Sequence, residues 1–196
     1  TQGDSVFIPM DYLIGGADYI GRGWQMLMEC LSVGRAISLP ATAAGGIKVA
    51  TFTSGAYSRI RKQFNTPIAN FEGIQAPLAS IIGKQYLVES MRFLTTGFID
   101  QGLRPAVLSA VTKYHVTEMA RDCGNAAMDI HGGKGICLGP KNYLGRGYQA
   151  APIAITVEGA NILTRNLIIF GQGAIRCHPY IYDEVVALAS ADPEEQ

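Results

Sequence analysis

The feature that most constrains this chain is a run from Pro67 to about Asp100 in which apolar residues keep a helical step. Ile68, Phe71, Ile74, Leu78, Ile81, Ile82, Leu87, Met91, Leu94 and Phe98 recur every three or four residues. At 3.6 residues per turn they predict an amphipathic helix of about nine turns. Pro77 lies inside the run, where a kink is expected. So long a helix with an apolar stripe has to bury that stripe against other helices.

Three further helical patterns supply the partners. Trp24, Leu27, Met28 and Leu31 open the first, which Pro40 is expected to bend, and Ile47, Val49, Phe52, Tyr57 and Ile60 continue it to the turn signal Asn65-Thr66-Pro67. Pro105 stands where a first-turn proline belongs, and Val107, Val111, Tyr114, Val116, Met119 and Cys123 carry a third helix to Gly132-Gly133. From Gly132 to about Pro152 the periodicity stops, which predicts a loop of about twenty residues, a length usually reserved for function. A last helix is expected from Glu158 or Ala160 through Ile162, Leu163 and Leu167 to Phe170, then a short tail helix that frays at Asp192-Pro193-Glu194-Glu195. The segment Phe7 to Gly23 is glycine-rich and irregular. The expected fold is all-α, an antiparallel four-helix bundle over 23–180, with a short irregular N-terminal segment at 1–22 and a tail at 181–196.

Composition agrees with a packed domain and excludes several functions. The chain is 48% hydrophobic and only 16% charged, enough apolar material for one large core. Its 16 basic residues balance 16 acidic ones without a run of either sign, so the footprint for nucleic acid is missing. No stretch is expected to approach the roughly 18 to 20 apolar residues that cross a bilayer. Cys30, Cys123, Cys137 and Cys177 lack metal-ligand spacing, as do His115, His131 and His178, so no metal is expected and reduced cytoplasmic thiols are. Thr1 to Met10 has neither a basic n-region nor a cleavage site, and reads as chain cut from something longer.

One carboxylate stands out. The apolar run Ala150 to Val157 ends in Glu158-Gly159 at the mouth of a helix. Apolar neighbours strip water from a carboxylate and suit it to accept a proton, while Gly159 leaves room for a ligand against the backbone. The alternative is a glutamate that merely complements the helix dipole.

Four landmarks in order give this carboxylate a context. They are Leu31-Ser32-Val33-Gly34-Arg35, Tyr57-Ser58-Arg59-Ile60-Arg61-Lys62-Gln63-Phe64, Ile130-His131-Gly132-Gly133-Lys134-Gly135 and Val157-Glu158-Gly159. Their order and spacing resemble the carboxy-terminal domain of the flavin-dependent acyl-CoA dehydrogenases. The stretch from Arg61 through Phe71-Glu72-Gly73-Ile74-Gln75 is similar to the family's R-x-x-F-G-x-x-[IL]-x-x-[FH]-Q-x-[IVL]-Q, with Asn65 for glycine and Glu72 for glutamine. Gly34-Arg35-Ala36-Ile37-Ser38-Leu39-Pro40-Ala41 and Asp11-Tyr12-Leu13-Ile14-Gly15 look closest to the large bacterial enzymes of fatty-acid β-oxidation.

The resemblance implies roles residue by residue. Glu158 matches the base that removes the α-proton of a fatty acyl-CoA while a hydride passes to FAD. Some members place the base one residue before the arginine matched by Arg35, but here that position is Gly34 and cannot ionise. Arg35 and Gly159 are implied near the substrate, Arg35 having the alternative of an ordinary surface ion pair. Arg61 and Phe64 match residues that reach a neighbouring subunit's cofactor, although Arg59 or Lys62 could equally serve as a helix-terminal cation. Asp129, Gly132, Gly133 and Ala160 are implied to touch FAD, Asp129 replacing the usual glutamine beside a pyrophosphate. Gln149-Ala150 stands where members commonly show Arg-Asp, and the loop before Glu158 looks slightly long.

The implied partners are a fatty acyl-CoA, an electron-transfer flavoprotein and further copies of the chain as a homodimer or homotetramer. The implied location is the cytoplasm, or a membrane periphery for the full-length protein. The resemblance also implies that Thr1 to Pro9 is the last strand of a preceding β-domain. Two alternatives stay open: part of an acyl-CoA oxidase, and a non-catalytic helical interaction module.

Overall fold

The structure, a computed structural model, describes residues 2–189, apart from the side chain of Arg176. Three long helices dominate it: α1 (Gly23–Ile60), α2 (Glu72–Asp100) and α3 (Ala106–His131). After α3 come the four-residue α4 (Gly133–Ile136) and α5 (Gly145–Thr156). A further helical run begins as α6 (Asn161–Leu163), widens to a π-helix over Thr164–Ala174 and closes as α7 (Ile175–Cys177). The last element is α8 (Ile181–Ala189).

Side-chain pairs fix the helix directions. Thr51 Oγ1 meets Gln85 at 2.6 Å and Lys48 pairs with Glu89, so α1 and α2 run antiparallel. Thr95 meets Thr112 at 2.9 Å and Lys84 meets Asp122 at 3.1 Å, so α2 and α3 do too. Arg35 reaches Ser109 while Tyr57 stacks on His131, which makes α1 and α3 parallel neighbours. Asn161 touches Thr117 and Gly173 faces Val107, so the π-helical run returns antiparallel along α3. The chain is therefore all-α, with up-down connectivity.

The helices approach closely because the core between them is built from small residues. Ala43, Ala44, Ala50 and Ala127 alternate there with Ile47, Ile81, Val88 and Val116. On α2 the buried line is Ile81, Val88 and Thr95, a seven-residue repeat suited to a long helix-helix seam. Ile82, Leu87 and Leu94, expected on the same stripe, lie on an exposed face instead. The α2 pattern thus serves two surfaces, which periodicity alone cannot separate.

Several expected boundaries are corrected. Pro40 does not divide the first helix: α1 runs unbroken for 38 residues with the proline buried. The proline deprives only the Ala36 carbonyl of its donor. α2 starts at Glu72 and not at Pro67, because the chain first makes a two-residue hairpin, β1 (Lys62–Gln63) against β2 (Thr66–Pro67), and one 3-10 turn. Phe64 and Asn65 form its loop with φ of 50° and 61°, the geometry that tight hairpins require. The expected loop after Gly132 contains α5, in which packing on α3 outweighs the poor helix propensity of Gly145, Gly147 and Pro152.

The last helix extends past Phe170 to Cys177. By length and composition Gly145–Ala174 does reach what a membrane span needs, contrary to expectation. It is not one continuous helix, however, since α5 ends at Thr156 and α6 begins at Asn161. Residues 2–9 form no strand here, and the expected fraying at 192–195 lies outside the described residues.

Candidate functional site

Glu158 sits in the turn between α5 and α6. Its φ is +54° and Gly159 follows at +88°. Such a backbone is costly for a residue with a Cβ. Two left-handed residues in succession reverse the chain between two helical segments that both lie on α3. The Glu158 side chain is directed at α1, where a Cβ added to Gly34 would stand 3.5 Å from Oε1 and 3.6 Å from Oε2. Gly34 therefore keeps open the space beside the carboxylate. Oε2 is buried and has no hydrogen-bond partner among the described residues.

Two buried cations flank this carboxylate. Arg35 is 1% exposed; its Nε donates to Ser109 at 3.3 Å and its Nη2 to the Ala106 carbonyl at 3.4 Å, while Nη1 has no partner among the described residues. Burial pushes the guanidinium below its ordinary value, and Glu158 partly opposes that. Lys113 on α3 is 0% exposed, and its ammonium donates to the Ile155 carbonyl at 3.2 Å, the Gly159 carbonyl at 2.9 Å and Asn161 Oδ1 at 2.6 Å. Burial holds Lys113 down to about 8, against the raising influence of Glu158. The result is a carboxylate with a free oxygen, an arginine with a free N–H, and a lysine whose donors are all engaged nearby.

A second cluster forms at the other end of α1. Arg61, Gln63, Asp129, Gly132 and Gly133 line an open polar cleft of about 460 Å³ together with His131. His131 stacks on Tyr57 with ring centroids 4.4 Å apart. Its Nδ1 lies 2.7 Å from the Ala127 carbonyl and its Nε2 2.9 Å from the Tyr143 hydroxyl. A carbonyl can only accept, so Nδ1 carries the proton and Nε2 accepts from the tyrosine. Burial pushes this imidazole below its ordinary value and keeps it neutral. Added Cβ atoms at Gly132 and Gly133 would meet nothing within 4 Å, so a ligand can come close to the backbone there, although the Gly132 amide itself donates to the Met128 carbonyl at 2.8 Å. From Arg35 to Arg61 along α1 is roughly 40 Å at about 1.5 Å per residue, so the two clusters are well separated.

The landmarks of the sequence thus gather into two places, joined by a single family pattern. Residues 21–171 match the family described as acyl-CoA dehydrogenase, C-terminal domain. The chain belongs to the acyl-CoA dehydrogenase family. Members of this family are FAD-dependent oxidoreductases.

Among relatives, the chain is similar to the very long-chain specific acyl-CoA dehydrogenase, mitochondrial, of Mus musculus, 30% identical over 88% of this chain and 25% of that one. It is 31% identical to the 3-(aryl)acrylate reductase of Clostridium sporogenes over 76% of this chain and 39% of that one. Among solved structures, the acyl-CoA dehydrogenase of Bacillus anthracis complexed with FAD superposes with a TM-score of 0.74 at 26% identity, covering 86% of this chain and 31% of that one. The chain spans only a quarter to two fifths of the length of such curated relatives.

Within this acyl-CoA dehydrogenase domain the expected residues are distributed unevenly. Glu158, Gly159 and Arg35 come together with Gly34. Ala160 is exposed and caps α6 next to them. Arg61, Asp129, Gly132 and Gly133 share the distant cleft, where the Arg61 cation and an uncrowded glycine backbone could hold the phosphates of a dinucleotide against the opposing charge of Asp129. Phe64 lies at the hairpin tip, 92% exposed with the edge of Phe71 beside it, and so is available to another molecule. Lys113 was missed. Ser109, Lys113, Val116 and Ala120 lie three or four residues apart on one face, but a lone lysine on such a helix reads as surface.

Proposed function

We propose that the chain supplies the catalytic base of a flavin-dependent acyl-CoA dehydrogenase acting on fatty acyl-CoA in β-oxidation. The observation that carries the proposal is the buried Glu158 Oε2, which has no partner among the described residues and lies beside the vacant side-chain position of Gly34. An acyl thioester entering that space would place its α-carbon within reach of a carboxylate free to accept a proton. When bound, FAD would supply the acceptor for the hydride that leaves the β-carbon, while the bonding pair left by the α-proton would form the double bond.

The chain's own residues then have distinct tasks. Glu158 takes the α-proton. Arg35, with Nη1 free, sets a positive field beside the carboxylate as it approaches the thioester. Gly34 keeps the approach open, and Gly159 lets the backbone take the left-handed turn that carries Glu158. The distant cleft with Arg61, Gly132 and Gly133, and the exposed Phe64, serve the cofactor of a second copy in a homodimer or homotetramer. Electrons leave to an electron-transfer flavoprotein, and the full-length protein works in the cytoplasm or at a membrane periphery.

The test is Glu158→Gln in the full-length protein. Rapid mixing with a fatty acyl-CoA should show acyl-CoA bound but flavin reduction slowed by roughly 1000-fold or more, since the amide is nearly isosteric yet cannot accept the proton. Reduction at the wild-type rate would remove Glu158 from the mechanism.

A further inference from the structure

Lys113 presents a physical problem that the proton-abstraction step does not answer. An ammonium with no access to water is costly unless every donor is satisfied, and α3 could have kept its packing with an apolar residue. All three Lys113 donors go to one short stretch of chain, at Ile155, Gly159 and Asn161, which bracket Glu158 on both sides. The Ile155 carbonyl belongs to the last turn of α5, where helix carbonyls lack backbone donors and a cation is favourable. Asn161 is itself aimed: its Nδ2 donates to Glu118 at 2.7 Å and to Thr117 at 3.0 Å, which turns its Oδ1 toward Lys113.

We propose that Lys113 is a positioning residue for Glu158, clamping the strained α5–α6 turn from both ends so that the carboxylate keeps one orientation beside a fixed positive charge. The proposal rests on Glu158 being the base. Because no donor of Lys113 is left over, the lysine does not neutralise Glu158 by direct pairing, and the carboxylate remains free for substrate. The charged groups around Lys113 are Glu158 on the turn, Arg35 on α1 and Glu118 on α3 itself. The clamp weakens as Lys113 loses its proton above about pH 8.

The experiment uses the full-length flavoprotein and its Lys113→Met, Lys113→Arg and Glu158→Gln variants, with rapid-mixing flavin reduction by a fatty acyl-CoA across neutral to alkaline pH. Wild type should slow as pH rises past about 8. Lys113→Met should be slower by roughly tenfold or more at neutral pH, with acyl-CoA affinity within about threefold, and should lack the alkaline fall. Lys113→Arg, which keeps its proton, should recover part of the rate and hold it to higher pH.

A folded Lys113→Met protein with the wild-type rate and pH profile overturns the proposal. If that variant does not fold, Nζ titration of Lys113 by NMR decides in its place. In Glu158→Gln the lysine midpoint should fall by about half a pH unit or more, and an unchanged midpoint overturns the coupling. Wild-type flavin reduction in Glu158→Gln would instead defeat the base assignment, whatever the Lys113 titration shows.

Discussion

At the scale of single residues, the Glu158 turn joins backbone strain to electrostatics. Gly159 has φ +88°, and a Cβ there would press on Thr164 Oγ1 at 3.1 Å. Gly159→Ala should therefore cost about 1–3 kcal/mol in urea unfolding, from left-handed strain plus a tight contact. Gly34→Ala meets Glu158 only at ordinary contact distance. In a helix interior it should raise stability by about 0.5–1 kcal/mol.

Titration offers a second residue-scale test. Lys113 is held at about 8 in the fold, so between there and its ordinary value the unfolded chain binds more protons and stability rises with pH. Cys123, raised by burial to about 11, acts oppositely from its ordinary value upward. Stability should then climb by at most about 1.4 kcal/mol from about pH 8 to 9 and level off above that. His131 is held low by burial, and should remove stability as pH falls below about 6.5. Denaturant midpoints measured from acid to alkaline pH follow all three groups. Glu158 was legible in the sequence because an apolar run ending in Glu-Gly is conspicuous locally. Lys113 was not, because its partners lie more than 40 residues away.

At the scale of elements, local signals were sound where a turn is made by adjacent residues and weak where packing competes with propensity. The hairpin after α1 has positive φ at both loop positions, a conformation that asparagine tolerates better than most residues with a Cβ. Asn65→Gly should leave thermal stability unchanged or raise it by less than about 1 kcal/mol, whereas Asn65→Val should cost about 1–2 kcal/mol. Calorimetry on the two variants separates these outcomes. Helix α5 shows the reverse case. Gly145, Gly147 and Pro152 argue against a helix, yet the segment folds as one because it packs along α3 and its Ile155 carbonyl is taken by Lys113. Pro40 in α1 makes the same point, since a buried proline in a well-packed helix need not end it.

At the scale of the whole molecule, the exposed apolar surface leads to a prediction of assembly. Tyr86, Leu87, Phe93 and Leu94 on α2 are more than half exposed, away from the line that faces the core. Apolar patches of this kind mark interaction surfaces, and Arg61 and Phe64 are the residues proposed to meet a second copy. Light scattering at micromolar concentration should find the chain associated, and Leu87→Glu with Leu94→Glu should shift it toward monomer. A monomeric wild-type chain would refute the assembly. From the sequence alone came the helical class, through the spacing of apolar residues, and the family with its candidate base, through four short landmarks in order. Tertiary structure alone decided which face of α2 meets the core, that the landmarks gather into two clusters and not one, and that a lysine from α3 bonds the turn of Glu158. Periodicity and motif are local properties of a chain, while burial and charge pairing are set by segments far apart in sequence that folding brings together.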